Sequence, residues 1–469
     1  MKFFFKNKER LFWIILTVTI LAISFKTPFL KDHAFAESAK SIEKYYDHFG
    51  RVVQTIQRFY VDKDKVDVKK LIYGAIKGML QTLDDPHTAF LDKRDFTELT
   101  TETSGKFGGL GIYISKRDGW ITVISPIEGT PAWKVGVKPG DIITEIEGKS
   151  TKGITIDYAV KKLRGKAGTY VNISVARSGE SHPLHFKIKR DIINIDSVKS
   201  GMIKKTKIGY IRVLQFSAKT AVEMKKAIKK LKSKKANAFI IDLRNNPGGL
   251  LNVAIDTVDL FIDKGLIVYT KDRMGRKEEF KAKRSIAVPK SVPMIVLVNG
   301  YSASASEIFT GAMQDYKRAI VIGEKTYGKF SVQQVFPIDR ADGTAFRMTM
   351  AYYYTPKGRN LHKKGLTPDI EVKQKLFSLY EGKMIKRAIS TDFIKNYVES
   401  NNTNTIRALN KLLIKFNALN IDLSMSDLTL LIKREREKNK MPELYDLEYD
   451  DQLNYAINVL KGVNILEKK

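Results

Sequence analysis

Met294-Ile295-Val296-Leu297-Val298-Asn299-Gly300-Tyr301-Ser302-Ala303-Ser304-Ala305-Ser306-Glu307 decides the fold class. Five consecutive apolar residues describe a strand buried on both faces, as in a parallel sheet covered by helices. Asn299-Gly300 supplies the turn. Small residues then open a helix expected to run from Ser304 to Tyr316. Further strand candidates lie on either side: Ala319-Ile320-Val321-Ile322-Gly323 downstream, Ala238-Phe239-Ile240-Ile241-Asp242 and Lys207–Leu214 upstream, and Phe346–Tyr354 beyond. A helix is predicted over Ala218–Leu231. This alternation from Gly201 to Val372 predicts a mixed sheet flanked by helices, an α/β core.

The same stretch carries a nucleophile. Ser304 lies 25 positions before Lys329 in Gly328-Lys329-Phe330-Ser331-Val332-Gln333, and no convincing Ser-His-Asp set competes with that pair. A serine hydroxyl needs a neighbour to take its proton. A lysine serves only where its amine is held largely neutral. A hydroxyl at a helix N-terminus also sees free backbone amides and the positive end of the dipole, which favours an oxyanion. Spacing alone leaves Ser302 and Ser304 comparable. After the upstream strand comes Asp242-Leu243-Arg244-Asn245-Asn246-Pro247-Gly248-Gly249, whose paired glycines let a backbone amide approach a substrate carbonyl.

Between Phe107 and Lys189 the pattern changes to short strands and glycine turns, with one helix at Ile156–Leu163. Gly109-Leu110-Gly111-Ile112 is not a phosphate loop, since neither a helix nor Gly-Lys-Ser/Thr follows it. Together with the stretch from Pro126 to Glu145, it resembles a PDZ domain, in which consecutive amides nest a terminal carboxylate and the peptide adds as a strand. Upstream, amphipathic helices are expected over Ser38–Tyr60 and from Val68 to Leu83, stopping at Asp84-Asp85-Pro86-His87. His87 reads as a polar turn residue.

The 469 residues bear 82 basic and 51 acidic side chains, a net +31, and no cysteine. Disulfides, thiolate metal sites and a cysteine nucleophile are therefore excluded. The lysines are scattered, with clusters such as Lys229 to Lys235, and no nucleic-acid motif accompanies them, so a solvated basic surface or an anionic envelope surface fits better than nucleic acid. Lys2, Lys6, Lys8 and Arg10 precede an apolar run from Leu11 to Phe25, and Ala34-Phe35-Ala36 follows. This describes export, with the run cleaved as a signal or retained as an anchor.

Asp85-Pro86-His87, the PDZ block, "DLRNNPGG", "SASASEI", "GEKTYGK", "YYTPKGRN", "KGLTPDIEV" and the piece from Asp451 to Lys461 occur in order. The chain so read resembles the carboxyl-terminal processing, or tail-specific, proteases. The resemblance implies a crotonase-like α/β protease core beside a PDZ domain, with N- and C-terminal helical segments. The expected organisation is a signal or anchor at 1–36, a helical region at 37–95, PDZ at 96–192, protease at 193–375 and helices at 376–469. It implies Ser304 as nucleophile, Lys329 as base and Gln333 as the residue orienting the lysine. The oxyanion amides fall on Ala305 and one of Gly248 or Gly249, the peptide loop on Gly109, Leu110, Gly111 and Ile112, and a regulatory PDZ arginine on Arg164. It implies substrates with apolar C-terminal tails, no metal and no cofactor, at an exported location. Phe330 stands where the family usually has glycine, and a ring there is expected to narrow the cleft or displace the lysine. A non-catalytic PDZ scaffold at the envelope is the alternative. The lysine-rich helices from Phe377 to Tyr449 are expected to serve dimerisation, capping of the site or adaptor docking.

Overall fold

The computed structural model describes residues 33–194, 196–283, 286–339, 341–374, 377–437 and 443–466. The apolar run from Leu11 to Phe25 lies outside them. Ala34-Phe35-Ala36 falls inside the first helix. Among the described residues no helix is long and apolar enough to cross a membrane. The chain divides into two compact units between Phe90 and Leu91.

The first unit holds helices α1 (His33–Phe59) and α2 (Val68–Gln81), close to the predicted pair. Asp67 caps α2 by accepting from the Lys70 amide. His87 sits in a turn where Asp85 accepts from its backbone N–H at 2.9 Å.

The second unit begins with α3 (Lys93–Ser104) and β1 (Lys106–Gly109), which pairs with β7 (Asp191–Asn194). Between them lies the PDZ block: β2 (Ile112–Arg117), β3 (Trp120–Pro126), β4 (Ile142–Ile146), α4 (Ile156–Leu163), β5 (Tyr170–Ala176) and β6 (Leu184–Lys189). The strands pair antiparallel in the order β2-β3-β4-β5-β6, which leaves β2 at an edge. Ile121, Val123, Ile143, Val171, Ile173 and Val175 from the strands close on Ala159 and Leu163 of α4 to form a core of their own.

The protease core follows, with β8 (Val198–Met202), β9 (Ile208–Val213), α5 (Thr220–Ser233), β10 (Ala238–Asp242) and α6 (Leu251–Val258). Next come β11 (Leu266–Asp272), β12 (Lys277–Lys281), β13 (Met294–Val298), α7 (Ala305–Asp315) and β14 (Ile320–Gly323). β15 (Ser331–Asp339), β16 (Thr344–Tyr354) and β17 (Ile370–Glu371) complete it. The main sheet runs β8-β9-β10-β13-β14-β17; only β8 is antiparallel to its neighbour, so the sheet is mixed as predicted. Every residue of β10 and β13 is buried, as their unbroken apolar runs require. A second, antiparallel set, β15-β16-β11-β12, was only partly anticipated, through the Phe346–Tyr354 segment.

The C-terminal region is helical: α8 (Leu379–Ile389), α9 (Phe393–Ser400), α10 (Ile406–Asn417), α11 (Met425–Glu437) and α12 (Asp451–Leu466). Helices α8 to α11 enclose a separate core around Leu409, Leu412 and Phe416. Helix α12 instead packs Leu453, Ala456, Ile457 and Leu460 against the main sheet.

Candidate active site

The carboxyl ends of parallel strands are where loops from neighbouring βα units converge. Asp242 ends β10 in register with Leu297 of β13, so the 243–250 loop and the 299–304 loop leave side by side. They are laced together: the Asn245 amide donates to Asn299 Oδ1 at 2.9 Å and Ala303 N–H to the Asn246 carbonyl at 3.0 Å. The lacing also separates the three serines. Ser302 is fully buried and its hydroxyl donates to the Leu243 carbonyl at 2.8 Å. Ser306 is equally buried and donates to the Asn246 carbonyl at 3.0 Å. Ser304 alone of the three is half-buried rather than enclosed.

Ser304 has φ 56° and ψ −115°, a backbone conformation that L residues other than glycine avoid. Such strain, of order 1–3 kcal/mol, persists only where surrounding contacts over-determine it. Here Ser304 N–H donates to Glu307 Oε2 at 2.8 Å, while its carbonyl accepts from the Glu307 amide at 2.8 Å and the Ile308 amide at 3.0 Å. Gly248 presses on the far side. A Cβ there would lie 2.7 Å from Ser304 Cβ and 2.8 Å from Ala305 N, and its φ is +101°, so only glycine fits. The Gly248 N–H is already held by Asn246 Oδ1 at 2.9 Å, which separates the two candidate oxyanion glycines. Ala305 is the first residue of α7, where helical amides have no intrahelical acceptor.

Lys329 follows β14 on a turn tied to the same helix. Glu307, with no exposed surface, accepts from Thr326 Oγ1 at 2.6 Å, Gly328 N–H at 2.7 Å and Lys329 N–H at 2.8 Å. One carboxylate therefore binds the backbone amides of both Ser304 and Lys329. Burial pushes the Glu307 carboxyl above its ordinary value, opposed by these hydrogen bonds. From β16, the Tyr353 hydroxyl reaches the carbonyls of Lys329 and, at 3.0 Å, Ser304. Burial first, and the Glu307 charge second, raise the Tyr353 hydroxyl well above the usual tyrosine value, so it remains a donor. Gln333 donates to Ser331 Oγ at 2.8 Å and Thr349 Oγ1 at 3.1 Å, next along β15.

Phe330 corrects the expectation of a narrowed cleft. Its side chain is fully buried in the protease core, 4.6 Å from the Tyr353 ring centroid. Phe330 immediately precedes β15, whose first residue, Ser331, is buried as well, whereas Lys329 on its other side is half-buried.

The "DLR" segment plays a part the sequence did not disclose. Arg244 Nη2 contacts Asp242 Oδ2 at 2.6 Å and Asp450 Oδ2 at 2.7 Å, and Nη1 contacts Gln452 Oε1 at 3.1 Å. The Tyr210 hydroxyl donates to Asp242 at 2.6 Å. Burial raises the Asp242 carboxyl, but the Arg244 charge and hydrogen bonds outweigh it and hold it below the ordinary range. This network fastens the start of α12 beneath the 243–250 loop.

In the PDZ block, the Gly109–Ile112 loop is tied down by backbone hydrogen bonds. Leu110 is buried and its carbonyl accepts from Ala132 N–H at 3.0 Å; the Gly111 carbonyl accepts from Ile127 N–H at 2.8 Å. Gly109 ends β1 and Ile112 starts the edge strand β2. Arg164 caps α4 and lies over the Phe107 ring, 4.4 Å from its centroid. It lines a cavity of about 180 Å³ whose other walls include Glu98, Asp196, Ser197, Gln215 and Ser217.

Glu307 and Tyr353, which tie Ser304 to Lys329, were not singled out in the sequence. Glu307 had a legible signal, since Ser304-x-x-Glu307 is a capping-box pattern. Tyr353 had none.

The sequence matches Peptidase family S41 over residues 207–372, a PDZ domain over 122–177 and the Activating protease CtpB N-terminal domain over 25–95. It is 43% identical over 342 residues to the carboxy-terminal-processing protease of Bartonella bacilliformis, covering 71% of this chain and 76% of that one. It is 38% identical over 370 residues to the carboxy-terminal processing protease CtpA of Bacillus subtilis, covering 78% of each. The solved photosystem II D1 C-terminal processing protease aligns over 69% of this chain and 92% of its own, at 28% identity and a TM-score of 0.41.

Proposed function

The chain belongs to peptidase family S41 and is a serine-type carboxy-terminal processing protease with a PDZ domain, and on that footing we propose that Ser304 and Lys329 form its catalytic dyad. The observation that carries this reading is the Glu307 carboxylate, which accepts at 2.8 Å from the amides of both residues.

Lys329 takes the proton from Ser304 as the hydroxyl attacks a peptide carbonyl; the oxyanion falls to the amides of Ala305 and Gly249. Gly249 is preferred because the Gly248 amide is committed to Asn246. Each such donor contributes about 3–4 kcal/mol in comparable sites. Lys329 then protonates the leaving amine, and water hydrolyses the acyl-enzyme. Gln333, beside the lysine turn on β15, is assigned the role of orienting the amine. Substrates with apolar C-terminal tails add to the edge strand β2, with the carboxylate in the Gly109–Ile112 loop. Arg164, at the PDZ–protease junction, is assigned to report occupancy of that groove. The envelope is the expected location, with the net charge of +31 suiting an anionic surface. Helices α8 to α11 are assigned to self-association or adaptor docking. The scaffold alternative drew its support from Phe330, whose ring lies in the core.

The test is cleavage of an unfolded protein with an apolar C-terminal tail by the full chain, Ser304→Ala and Lys329→Ala, across pH 6–10. Activity rising through mildly alkaline pH and lost in both folded variants is expected. Retained cleavage by either variant refutes the dyad.

A further inference from the structure

We propose that His362 is a positioning residue for Lys329, and that protonating it slackens the lysine turn and lowers turnover; this rests on Lys329 being the general base.

The argument starts from the Lys329–Phe330 peptide group, which is held from both sides by side chains. Its carbonyl accepts from the Tyr353 hydroxyl, and its N–H donates to His362 Nδ1 at 3.3 Å. The amide preceding it, Lys329 N–H, goes to Glu307. The backbone on either side of the Lys329 Cα is thus held by three separate side chains, and His362 is one of them.

The histidine is not on a free loop. Its connection, residues 355–366, is fastened beneath the turn. Lys363 N–H donates to the Gly328 carbonyl at 2.8 Å, Leu366 N–H to Thr326 Oγ1 at 2.7 Å and Thr326 N–H to the Leu366 carbonyl at 3.0 Å. A Cβ on Gly328 would meet Gly365 N at 2.7 Å, so the two segments cannot be closer. The ring packs against Tyr352 with centroids 5.0 Å apart, and the His362 amide is anchored to Asn360 Oδ1 at 3.2 Å.

An acceptor at Nδ1 requires a lone pair there, so the imidazole is neutral with its proton on Nε2. Protonation places a second N–H facing the Phe330 N–H, donor against donor. The bond is lost, and the Phe330 amide is left without that acceptor beside a fully buried side chain. The titratable groups on the surrounding segments include Lys325, Tyr327 and Lys329 on the turn, Glu307 bound to it from α7, Tyr352 and Tyr353 on β16, and Arg359, Lys363 and Lys364 on the histidine's own connection. A positive imidazolium near Lys329 has an opposite electrostatic effect, since it favours the neutral amine. Position outweighs it, because misplacing a reacting group by about 1 Å costs roughly a hundredfold in rate.

The experiment measures kcat and KM of the full chain, His362→Asn and His362→Leu from pH 5.5 to 9, with circular dichroism confirming each fold. Asparagine keeps an acceptor near the Nδ1 position without titrating. At pH 8.5 the leucine variant is expected to lose about tenfold to a hundredfold in kcat at unchanged KM, and asparagine to recover most of that loss. The ratio of parent to asparagine-variant kcat is expected to fall by about tenfold or more as the pH is lowered across this range. Taking the ratio removes whatever titration the two proteins share. A ratio that is flat or rises on acidification overturns the proposal, as does parental kcat in the leucine variant. Lys329→Ala serves as the separate control: if that folded variant still cleaves, the general-base reading has failed and this inference falls with it.

Discussion

Glu307→Gln isolates the joint between Ser304 and Lys329, the proposed dyad, because it keeps the shape and removes one acceptor. Oε1 serves Thr326 Oγ1 and Gly328 N–H; Oε2 serves Ser304 N–H and Lys329 N–H. A glutamine that turned its NH₂ toward Ser304 and Lys329 would strand two buried amides. Turned the other way, it strands one amide, Gly328 N–H, while the Thr326 hydroxyl, which already accepts from Leu366 N–H, accepts a second bond and loses the acceptor for its own proton. The second orientation wins, because a hydroxyl proton can turn where an amide proton cannot, at a cost of about 1–3 kcal/mol for each unsatisfied donor. Removing a buried charge offsets part of this. The loss is therefore expected as a lower urea midpoint at unchanged m-value. With Gly328 released, the lysine turn shifts, and a kcat reduced by about a hundredfold at unchanged KM is expected.

The pH dependence has a definite sign. The folded Glu307 carboxyl lies above its ordinary value because burial outweighs its hydrogen bonds. Its contribution to stability is therefore full below the unfolded value, near about pH 4.3, and is lost as pH rises through the folded value. The variant carries no such term, so its deficit relative to the parent should shrink as pH rises through that window. Parental stability and parental kcat in Glu307→Gln would refute the reasoning, and so would a deficit that grows with pH.

Arg244→Met leaves Asp242 and Asp450 facing each other without their shared cation, and breaking a buried pair costs about 3–5 kcal/mol; hydrogen exchange should show α12 opening before the main sheet. Phe330→Ala should destabilise by about 3–5 kcal/mol in denaturant melts, as for a core aromatic, and should not widen substrate preference. Gly111→Ala puts a Cβ 2.4 Å from Thr130 Cβ at a φ of +74°, so affinity for a labelled C-terminal peptide, followed by anisotropy, should drop at least about tenfold.

What was legible in the sequence is what depends on local pattern. The strands at 238–242 and 294–298 follow from their apolar runs, and α10 from its periodicity, although Ile406 on that same pattern is largely exposed. The choice among Ser302, Ser304 and Ser306 was not legible from spacing. What distinguishes them in the fold is that Ser302 and Ser306 bond to the carbonyls of Leu243 and Asn246, 59 and 60 positions upstream. Arg244 read as part of a glycine loop because one of its partners, Asp450, is 206 positions away. Phe330 was misjudged for a related reason: its ring packs on Tyr353, a contact between distant segments that local pattern does not show.

The contacts that escaped the sequence are those that make the strained serine tenable. Ser304 at φ 56° has its amide held by Glu307 and its carbonyl by the first turn of α7 and by Tyr353. Two of those groups, the Glu307 carboxylate and the Tyr353 hydroxyl, also hold the Lys329 turn. Strain at Ser304 and the position of Lys329 are therefore not independent: whatever relaxes Ser304 through either group also moves Lys329. Substitutions at Glu307 and Tyr353 should consequently be non-additive in a double-mutant cycle, whereas each should add with Arg244, whose ion pairs belong to a different network.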